Sequence, residues 1–289
     1  MKRRRRSMLF CPAKDEAMMI KAKKYSPDCI IFDLEDAIAY DDKDNARATL
    51  CRVLEQEDFG DIEIFARINA LNTEFGEKDV RALVKSGIKN IRLPMCESKE
   101  NVVKLEGLLA ENEKAKGIPI GTVKIQCSIE TPRGVYNAYE IATASERVIS
   151  ISFGTEDYTN CLGVDRTKEV LQFLYARSQI AIAASMAGVD AIDTVFSDVT
   201  DIEGFEQEVR HIQSLGFSGK SCIHPKQVSK VNEIFTPSKE EIERARNIIN
   251  AGKEAEERGV GVATFNGKMI DKPIIEKAVK VLQKAGEEV

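Results

Sequence analysis

Histidine and paired cysteine are scarce in this sequence. The chain has two histidines and seven cysteines, and no two cysteines stand in a CxxC pair. A zinc site is therefore not expected, because protein zinc is held by clustered cysteine and histidine side chains. Most of the cysteines lie inside apolar runs, where a thiol behaves as a small hydrophobe, and this usage indicates a reducing compartment. We therefore expect a cytoplasmic location.

A strong net charge and long apolar runs are also missing. The formal charge is only -5 at pH 7, which argues against a polycation built to bind nucleic acid. No apolar stretch reaches the about 20 residues of a membrane-spanning helix, and the run before Pro12 is too short for a secretory signal. We expect neither nucleic acid nor membrane as a partner. The basic run from Lys2 to Arg5 is interpreted as a solvated tail, with a contact to RNA or an acidic partner as the alternative.

What the sequence does contain is a repeated alternation of apolar runs and amphipathic stretches. The apolar runs predict eight strands, over residues 7–12, 29–34, 62–68, 88–94, 123–130, 148–154, 191–196 and 220–225. Their near-continuous apolar character is typical of parallel strands buried on both faces. The stretches between them predict seven helices, over residues 15–24, 42–55, 77–86, 98–115, 134–144, 169–187 and 202–215.

This order predicts an α/β fold, a TIM (β/α)8 barrel over residues 1–235, with a last helix from Gln227. A doubly wound sheet is the alternative, although no GxGxxG turn supports it. Residues 236–289 predict a C-terminal helix-hairpin-helix extension. Ser238 and Glu241 form a capping box, Asn266-Gly267 is a type I′ hairpin signal, and Pro273 suits the first turn of a final helix. We expect this extension to act as a lid or as an oligomer contact.

In TIM barrels the active site is built at the carboxyl ends of the strands. These positions hold Asp33, Glu35 and Asp36, Arg67 and Asn69, Glu130 and Arg133, Glu156 and Asp157, and His224. Carboxylates from several strand ends suit an ion that prefers oxygen ligands, Mg²⁺ or Mn²⁺, and an arginine beside it suits a bidentate grip on a substrate carboxylate. Each acid taken singly is more often a helix cap or an ion-pair partner, so the prediction depends on their coincidence.

Two other patterns near the end of the predicted barrel would indicate different chemistry from a metal site. Cys222 and His224 could suggest a thiol nucleophile with its base, but no third group that would orient the histidine is evident. His224 itself is interpreted either as a hydrogen-bonding residue at the strand exit or as a reacting one. GFSGKS, residues 216–221, lacks the first glycine of a phosphate loop and precedes a strand instead of following it.

Nine short motifs extend the pattern along nearly the whole chain, in order: RSMLFCP, FDLEDA, RINAL, RLP, IETPRG, FGTEDY, IDTVFSD, GFSGKS with IHPKQ, and NGKMID. At these residues the sequence resembles the citrate lyase β-subunit family, the citryl thioester lyases related to malyl-CoA and citramalyl-CoA lyases. The resemblance implies the same barrel and a Mg²⁺-dependent carbon–carbon lyase. Its expected reaction converts citryl-acyl-carrier-protein to acetyl-acyl-carrier-protein and oxaloacetate. Its expected partners are the α subunit and the acyl-carrier-protein (γ) subunit.

The resemblance also implies roles for individual residues. Glu130 and Asp157 are the implied Mg²⁺ ligands, and Arg67 is implied to hold a carboxylate of the keto acid. Backbone amides in the loop from Gly154 to Asp157, including those of Thr155 and Glu156, are implied to complete this grip.

Four more carboxylates take supporting or proton-transfer roles in the same resemblance. Asp33, Glu35 and Asp36 are implied to orient water on the metal and the arginine. Asp271 matches an aspartate that related acyl-CoA lyases bring in on a C-terminal lid, often from an adjacent subunit, as an acid or base. We therefore expect a homo-oligomer.

Two alternative functions remain open at this point. One is a stand-alone malyl-CoA or citramalyl-CoA lyase with the same mechanism and a different acyl group. The other is a non-catalytic binding module that uses the basic run from Lys2 to Arg5.

Overall fold

The chain divides into two compact units, Arg3–Asn232 and Glu233–Val289. The structure is a computed structural model that describes residues 3–167, 170–257, 259 and 262–287. The predicted domain boundary after residue 235 stays a prediction. None of the described helices is both long and apolar enough to cross a membrane.

The first unit is a closed barrel of eight parallel strands that follow one another in sequence order, so the predicted TIM barrel is confirmed. The strands are β1 (Ser7–Pro12), β2 (Cys29–Asp33), β3 (Glu63–Arg67), β4 (Asn90–Leu93), β5 (Lys124–Ile129), β6 (Val148–Phe153), β7 (Asp190–Asp193) and β8 (Gly219–Cys222). Pairing of β1 with β8 closes the barrel. All eight predicted strands exist, and the predicted ends overshoot the observed ones by at most three residues.

Helices follow the strands around the outside of this barrel. They are α1 (Glu16–Lys21), α2 (Lys43–Gln56), α3 (Gly76–Ser86), α4 (Lys99–Lys116), α5 (Pro132–Tyr136), α6 (Ala138–Ala142), α7 (Thr155–Leu162), α8 (Leu174–Ala187), α9 (Ile202–Leu215) and α10 (Pro225–Phe235). Short 3-10 helices occupy Ala22–Tyr25, Tyr40–Asp42 and Val170–Phe173.

Two helical predictions differ from the structure. The helix expected over 134–144 is two short helices, and the helix expected over 169–187 starts its α-helical part at Leu174, with residue 169 outside the described residues. Helix α7 was not predicted, because its sequence, TEDYTNCL, has no clear apolar period. It begins directly after β6 and matters for the site below.

The interior of the barrel combines an apolar layer with ion pairs at the amino end of the strands. Met8, Ile31 and Phe65 belong to the buried apolar cluster. The Nε and Nη1 of Arg5 lie 2.6 and 2.8 Å from carboxylate oxygens of Glu63 and Asp190, and the Arg5 side chain is only 9% exposed. The expectation of a solvated basic tail is therefore wrong for Arg5, while Lys2 lies outside the described residues.

Glycine at position 219 allows the chain to reach this layer. A Cβ on Gly219 would come 1.9 Å from the carbonyl oxygen of Arg5, a distance that no side chain tolerates. The close approach of the two backbones accompanies the pairing of β1 with β8.

The second unit confirms the predicted helix-hairpin-helix order. It contains α11 (Lys239–Glu257), β9 (Ala263–Phe265), β10 (Lys268–Ile270) and α12 (Lys272–Ala285). The capping box is present, since Glu241 N–H donates to Ser238 Oγ at 3.1 Å and Ser238 N–H donates to the Glu241 carboxylate at 2.8 Å. Asn266 and Gly267 have φ of 48° and 72°, the left-handed pair that a type I′ turn requires. Helices α11 and α12 pack through Ala245, Ile249, Ala278 and Leu282.

Candidate active site

A cavity of about 430 Å³ lies where the carboxyl ends of the barrel strands meet. Eight of the predicted site residues line it: Asp33, Asp36, Arg67, Glu130, Gly154, Thr155, Glu156 and Asp157. Glu35 joins them through an ion pair with Arg67. Asn69, Arg133 and His224 are not among the lining residues, and Asp271 belongs to the second unit.

Arg67, the last residue of β3, is held by three carboxylates from the segment after β2. Its Nε and Nη2 donate to the two oxygens of Asp33, both at 2.7 Å, in a bidentate pair. Its Nη1 lies 2.8 Å from a Glu35 oxygen and 2.9 Å from Asp36 Oδ2. The pairing follows from register, because Asp33 is the direct neighbour of Arg67 across β2 and β3. Four of the five guanidinium N–H groups are thus engaged, and one Nη2 N–H remains.

Three carboxylates around one guanidinium leave an excess of negative charge. Burial opposes ionisation of Asp33, but its hydrogen bonds from Arg67 outweigh that and hold the pKa below its usual value. Burial raises the pKa of Glu35 to about 8, and the nearby charges of Glu130 and Asp36 add to that rise. Glu35 is therefore the carboxyl of this cluster whose ionisation a nearby cation would favour most.

Glu130 follows β5 and is buried against the backbone of two neighbouring strand ends. Its Oε2 accepts a hydrogen bond from Met95 N–H at 3.2 Å, and Met95 has a left-handed φ of 49°. A Cβ on Gly154 would come 2.6 Å from Glu130 Cγ, so the glycine gives the glutamate its room. Burial raises the pKa of Glu130, because a carboxylate is poorly solvated there.

Asp157 lies in the first turn of α7, whose amino end borders the cavity. Gly154 is the residue before this helix, and no side chain caps its amino end. Gly154 N–H donates to Ile129 O at 2.9 Å and Thr155 N–H donates to Thr194 Oγ1 at 3.2 Å, which fixes the start of the helix. The next two amides, at Glu156 and Asp157, have no preceding helical carbonyl to bind, so they are suited to an anionic ligand.

Of the predicted substrate contacts in this segment, the backbone amides of Gly154 and Thr155 already donate hydrogen bonds to other protein atoms. The Glu156 carboxylate points to Arg166, with 2.6 Å between its oxygen and Nη1. Of the loop from Gly154 to Asp157, the backbone amides of Glu156 and Asp157 are therefore the ones suited to the expected role.

A divalent cation fits the donor set that faces the cavity. Burial, together with the charge of Asp36, raises the pKa of Asp157, so both predicted ligands are carboxyls whose ionisation a cation would favour. Among the described residues, no group of three or more His, Cys, Asp or Glu side chains is arranged to hold a metal. Two carboxylates supplemented by water and ligand oxygens is the arrangement typical of Mg²⁺.

Arg92 also lines this cavity, although the sequence did not predict it as a site residue. It lies on β4, beside Arg67 in register, and only 3% of it is exposed. Its Nη2 donates to Ser128 Oγ at 2.8 Å and its Nη1 donates to Gln126 Oε1 at 3.4 Å. Within the described chain its Nε has no hydrogen-bond partner, and the same holds for Ser221 Oγ, which also belongs to a lining residue.

Phe10 lies between the two arginines of the cavity. Its ring centroid is 5.2 Å from Arg67 Cζ and 5.0 Å from Arg92 Cζ. Burial lowers the pKa of Arg92 to about 10, so the side chain stays charged at neutral pH. The aromatic face supports both cations without neutralising either.

The remaining predicted site residues have local partners. Asn69 Nδ2 donates to Asp79 Oδ2 at 2.7 Å. His224 Nδ1 accepts from Lys226 N–H at 3.2 Å at the start of α10, which is a hydrogen-bonding role. Asp271 caps α12, accepting from Ile274 N–H at 3.3 Å.

A second buried charge network lies between β7, β8, α8 and α9. Lys220 Nζ is 2.7 Å from Asp193 Oδ2 and 2.6 Å from Glu208 Oε1. Arg177 lies 2.9 Å from Asp193 Oδ1 and 3.0 Å from Glu208 Oε2. Two cations and two carboxylates therefore balance each other's charge inside the protein, although Arg177 Nη1 has no hydrogen-bond partner within the described residues.

Comparison with known proteins adds three relatives. A family model described as HpcH/HpaI aldolase/citrate lyase matches residues 6–225. The citrate lyase subunit beta of Haemophilus influenzae is 43% identical over 281 residues, covering 97% of this chain and 97% of that protein. The mitochondrial citramalyl-CoA lyase of Homo sapiens is 32% identical over 286 residues, covering 95% of this chain and 83% of that protein. A crystal structure of protein CitE from Mycobacterium tuberculosis, in complex with magnesium, acetoacetate and coenzyme A, matches with a TM-score of 0.81 at 30% identity and 98% coverage of both chains.

Proposed function

The chain belongs to the HpcH/HpaI aldolase/citrate lyase family and is a carbon–carbon lyase, and we propose that it cleaves citryl-acyl-carrier-protein to acetyl-acyl-carrier-protein and oxaloacetate. The observation that carries this proposal is the near-full-length similarity to citrate lyase β subunits. The cavity supports it, because two arginines and two carboxylates suited to a cation line one space at the strand ends.

We propose that the chain binds Mg²⁺, which the related CitE structure contains, and that Glu130 and Asp157 hold it. Mn²⁺ suits the same oxygen ligands. When bound, the ion supplies positive charge that lowers the pKa of a substrate hydroxyl and stabilises developing negative charge on oxygen. Asp33, Glu35 and Asp36 then have the role of fixing Arg67 and ordered water around these two carboxylates.

Arg67 and the amino end of α7 are proposed to hold the carboxylate next to the reacting carbinol carbon. Asp33 fixes the guanidinium plane through two hydrogen bonds, so the arginine presents its remaining Nη2 N–H in one direction. The amides of Glu156 and Asp157 offer further donors at a positive helix end. A ligand held by both cannot rotate, and this restriction aligns the bond that breaks.

Proton transfer is proposed to involve Asp271. Cleavage transfers the proton of the 3-hydroxyl to a base, either the Asp271 carboxylate or a water that it polarises, converts that carbon to a ketone and leaves the electron pair of the broken bond on the thioester enolate. The enolate carbon then gains a proton. Asp271, brought in with the C-terminal extension of the same or an adjacent copy, would donate this proton or, in the reverse direction, accept it.

The partners that this function requires are an α subunit and an acyl-carrier-protein subunit of a citrate lyase complex, within the cytoplasm. The β-subunit names of the relatives support such a complex. We further propose that the barrel chain self-associates, with residues 236–289 as the contact or lid.

The test is a keto-acid assay on the purified chain with Mg²⁺ and a panel of thioesters. We expect oxaloacetate release from citryl-acyl-carrier-protein, with less from citryl-CoA. No release from either citryl thioester by the folded, magnesium-loaded protein would refute the proposal. The second candidate, a citramalyl-CoA lyase, is favoured by the similarity to the human enzyme, and it predicts pyruvate release from citramalyl-CoA as the fastest reaction.

A further inference from the structure

We infer that Arg92 binds the second carboxylate of the citryl group, the one that a citramalyl or malyl group lacks, and thereby selects the acyl group. This inference rests on the proposed function and adds a specificity-determining residue to it. The residue is buried, lines the cavity and, among the described residues, is hydrogen-bonded only to neutral oxygens.

Arg92 differs from the other deeply buried arginines in having no carboxylate partner. Arg5 pairs with Glu63 and Asp190, and Arg147 pairs with Glu113 at 2.7 Å. Arg67 and Arg177 are each bound by two or more carboxylates. Among the described residues, the partners of Arg92 are only the neutral oxygens of Ser128 and Gln126.

A buried guanidinium without an anion is costly, and the cost is offset when a ligand provides the anion. Glu130 is near enough to favour the charged form of Arg92, but it makes no ion pair with it. When Glu130 binds a cation, the cation neutralises the negative charge that would otherwise stabilise the Arg92 guanidinium. The side chain is also preorganised, because Ser128 and Gln126 fix one edge of the guanidinium and the Phe10 ring supports its face.

The chemistry of the acyl group indicates which anion is missing. Citryl, citramalyl and malyl thioesters share a carboxylate on the carbinol carbon, and Arg67 with the amino end of α7 is suited to bind it. Citryl alone adds a carboxymethyl group at that carbon, where citramalyl has a methyl and malyl a hydrogen. A second arginine, adjacent to Arg67 in register and equally buried, is the complement of this added carboxylate.

The test compares wild type, Arg92→Met and Arg92→Lys on citryl and citramalyl thioesters of the same carrier. We expect Arg92→Met to lower kcat/KM for the citryl thioester by about 100-fold or more, since a buried arginine that pairs with a substrate carboxylate is lost. Activity on the citramalyl thioester should change by no more than a few-fold. Arg92→Lys should recover part of the citryl activity, because lysine keeps the positive charge but lacks the two parallel N–H donors of a guanidinium. Arg81→Met, on the exposed face of α3, is the matched control and should change neither rate.

Two measurements separate recognition from a structural role. In wild type with Mg²⁺, oxaloacetate should bind at least about 10-fold more tightly than pyruvate, because only oxaloacetate carries the second carboxylate. The melting temperature of ligand-free Arg92→Met should equal or exceed that of wild type, whereas Arg177→Met should melt lower. Equal affinity for the two keto acids, or a drop in melting temperature like that of Arg177→Met, would overturn the inference.

The outcomes also distinguish this inference from the proposed function. If wild type cleaves citryl thioesters and Arg92→Met slows both substrates equally, Arg92 acts by positioning Glu130 through Ser128, so the inference fails and the proposed function stands. If wild type cleaves only citramalyl-CoA, the proposed function fails and the inference falls with it.

Discussion

Two charged clusters of the barrel unit, one near β2–β5 and one between β7, β8, α8 and α9, contain similar residues but arrange them differently. On the β7–β8 side, Lys220 and Arg177 share Asp193 and Glu208, so two cations face two carboxylates. On the β2–β5 side the charges do not balance locally. Arg67 has three carboxylates, Arg92 has none in the described chain, and Glu130 is a buried carboxyl with a raised pKa.

This difference separates a structural network from a binding site. A buried network whose charges balance has no need of a charged ligand, and breaking it leaves a charge uncompensated. A network with an excess anion at one point and an excess cation at another is completed by a ligand of complementary charge. The β2–β5 side is therefore expected to govern binding and rate, and the β7–β8 side to govern stability.

The largest effect is expected from Glu130→Gln, which keeps the shape and removes the charge. Turnover should fall by about 1,000-fold or more, because several kcal/mol of charge stabilisation by the ion is lost. Calorimetric titration with Mg²⁺ should show weakened binding, while the melting temperature should not decrease, since an unfavourably buried carboxyl is removed. A variant that retained full magnesium affinity and rate would contradict the metal assignment.

On the opposite side, Asp193→Ala should act on stability. It leaves Arg177 and Lys220 with one carboxylate between them, and breaking a buried pair costs about 3–5 kcal/mol. Urea unfolding followed by circular dichroism measures this loss. An unfolding midpoint equal to that of wild type would show that the network is not structural.

Acid unfolding provides a further test of the β7–β8 side. Burial alone would raise the pKa of Asp193, but the charges of Arg177 and Lys220 outweigh it and lower the pKa to about 2. A carboxyl with a lowered pKa stabilises the folded state above its unfolded pKa of about 3.9, and this contribution is lost as the pH falls toward 2. We expect about 2 kcal/mol of stability to disappear over that window, measured by urea unfolding at a series of pH values. Asp193→Ala should flatten this part of the profile.

The smallest effects should distinguish the carboxylates around Arg67. Asp33→Asn removes a buried bidentate partner, so the rate should fall by about 10- to 100-fold. Asp36→Asn should cost only a few-fold, because the Asp36 side chain is 68% exposed and the ion pair is weakened by solvent. Steady-state kinetics on one thioester measures both. Equal losses would mean that the arginine is not oriented by Asp33.

The sequence was sufficient to predict the barrel but not the whole site. Each strand is a short apolar run that stands out locally, so the strand order could be predicted without knowing any contact. The residues at the strand ends, Glu130 and Asp157 among them, could be found because the fold dictates where strand ends meet.

The residues that were missed depend on contacts between distant parts of the chain. Arg92 stands one residue before the end of β4, inside an apolar run, and only the register of three strands shows that it lacks a carboxylate. Arg5 was interpreted as part of a basic tail because its partners, Glu63 and Asp190, are 58 and 185 residues away in sequence. Helix α7 gives no apolar period, so its amino end beside the cavity could not be predicted.

The most direct test of the central claim, that the β2–β5 side is a magnesium-dependent site for a keto acid, is calorimetric titration of oxaloacetate into the purified chain. We expect one site per chain in the presence of Mg²⁺, no measurable binding after the metal is removed by chelation, loss of binding in Glu130→Gln and unchanged binding in Arg81→Met. Oxaloacetate binding that persisted without Mg²⁺ and in Glu130→Gln would contradict it.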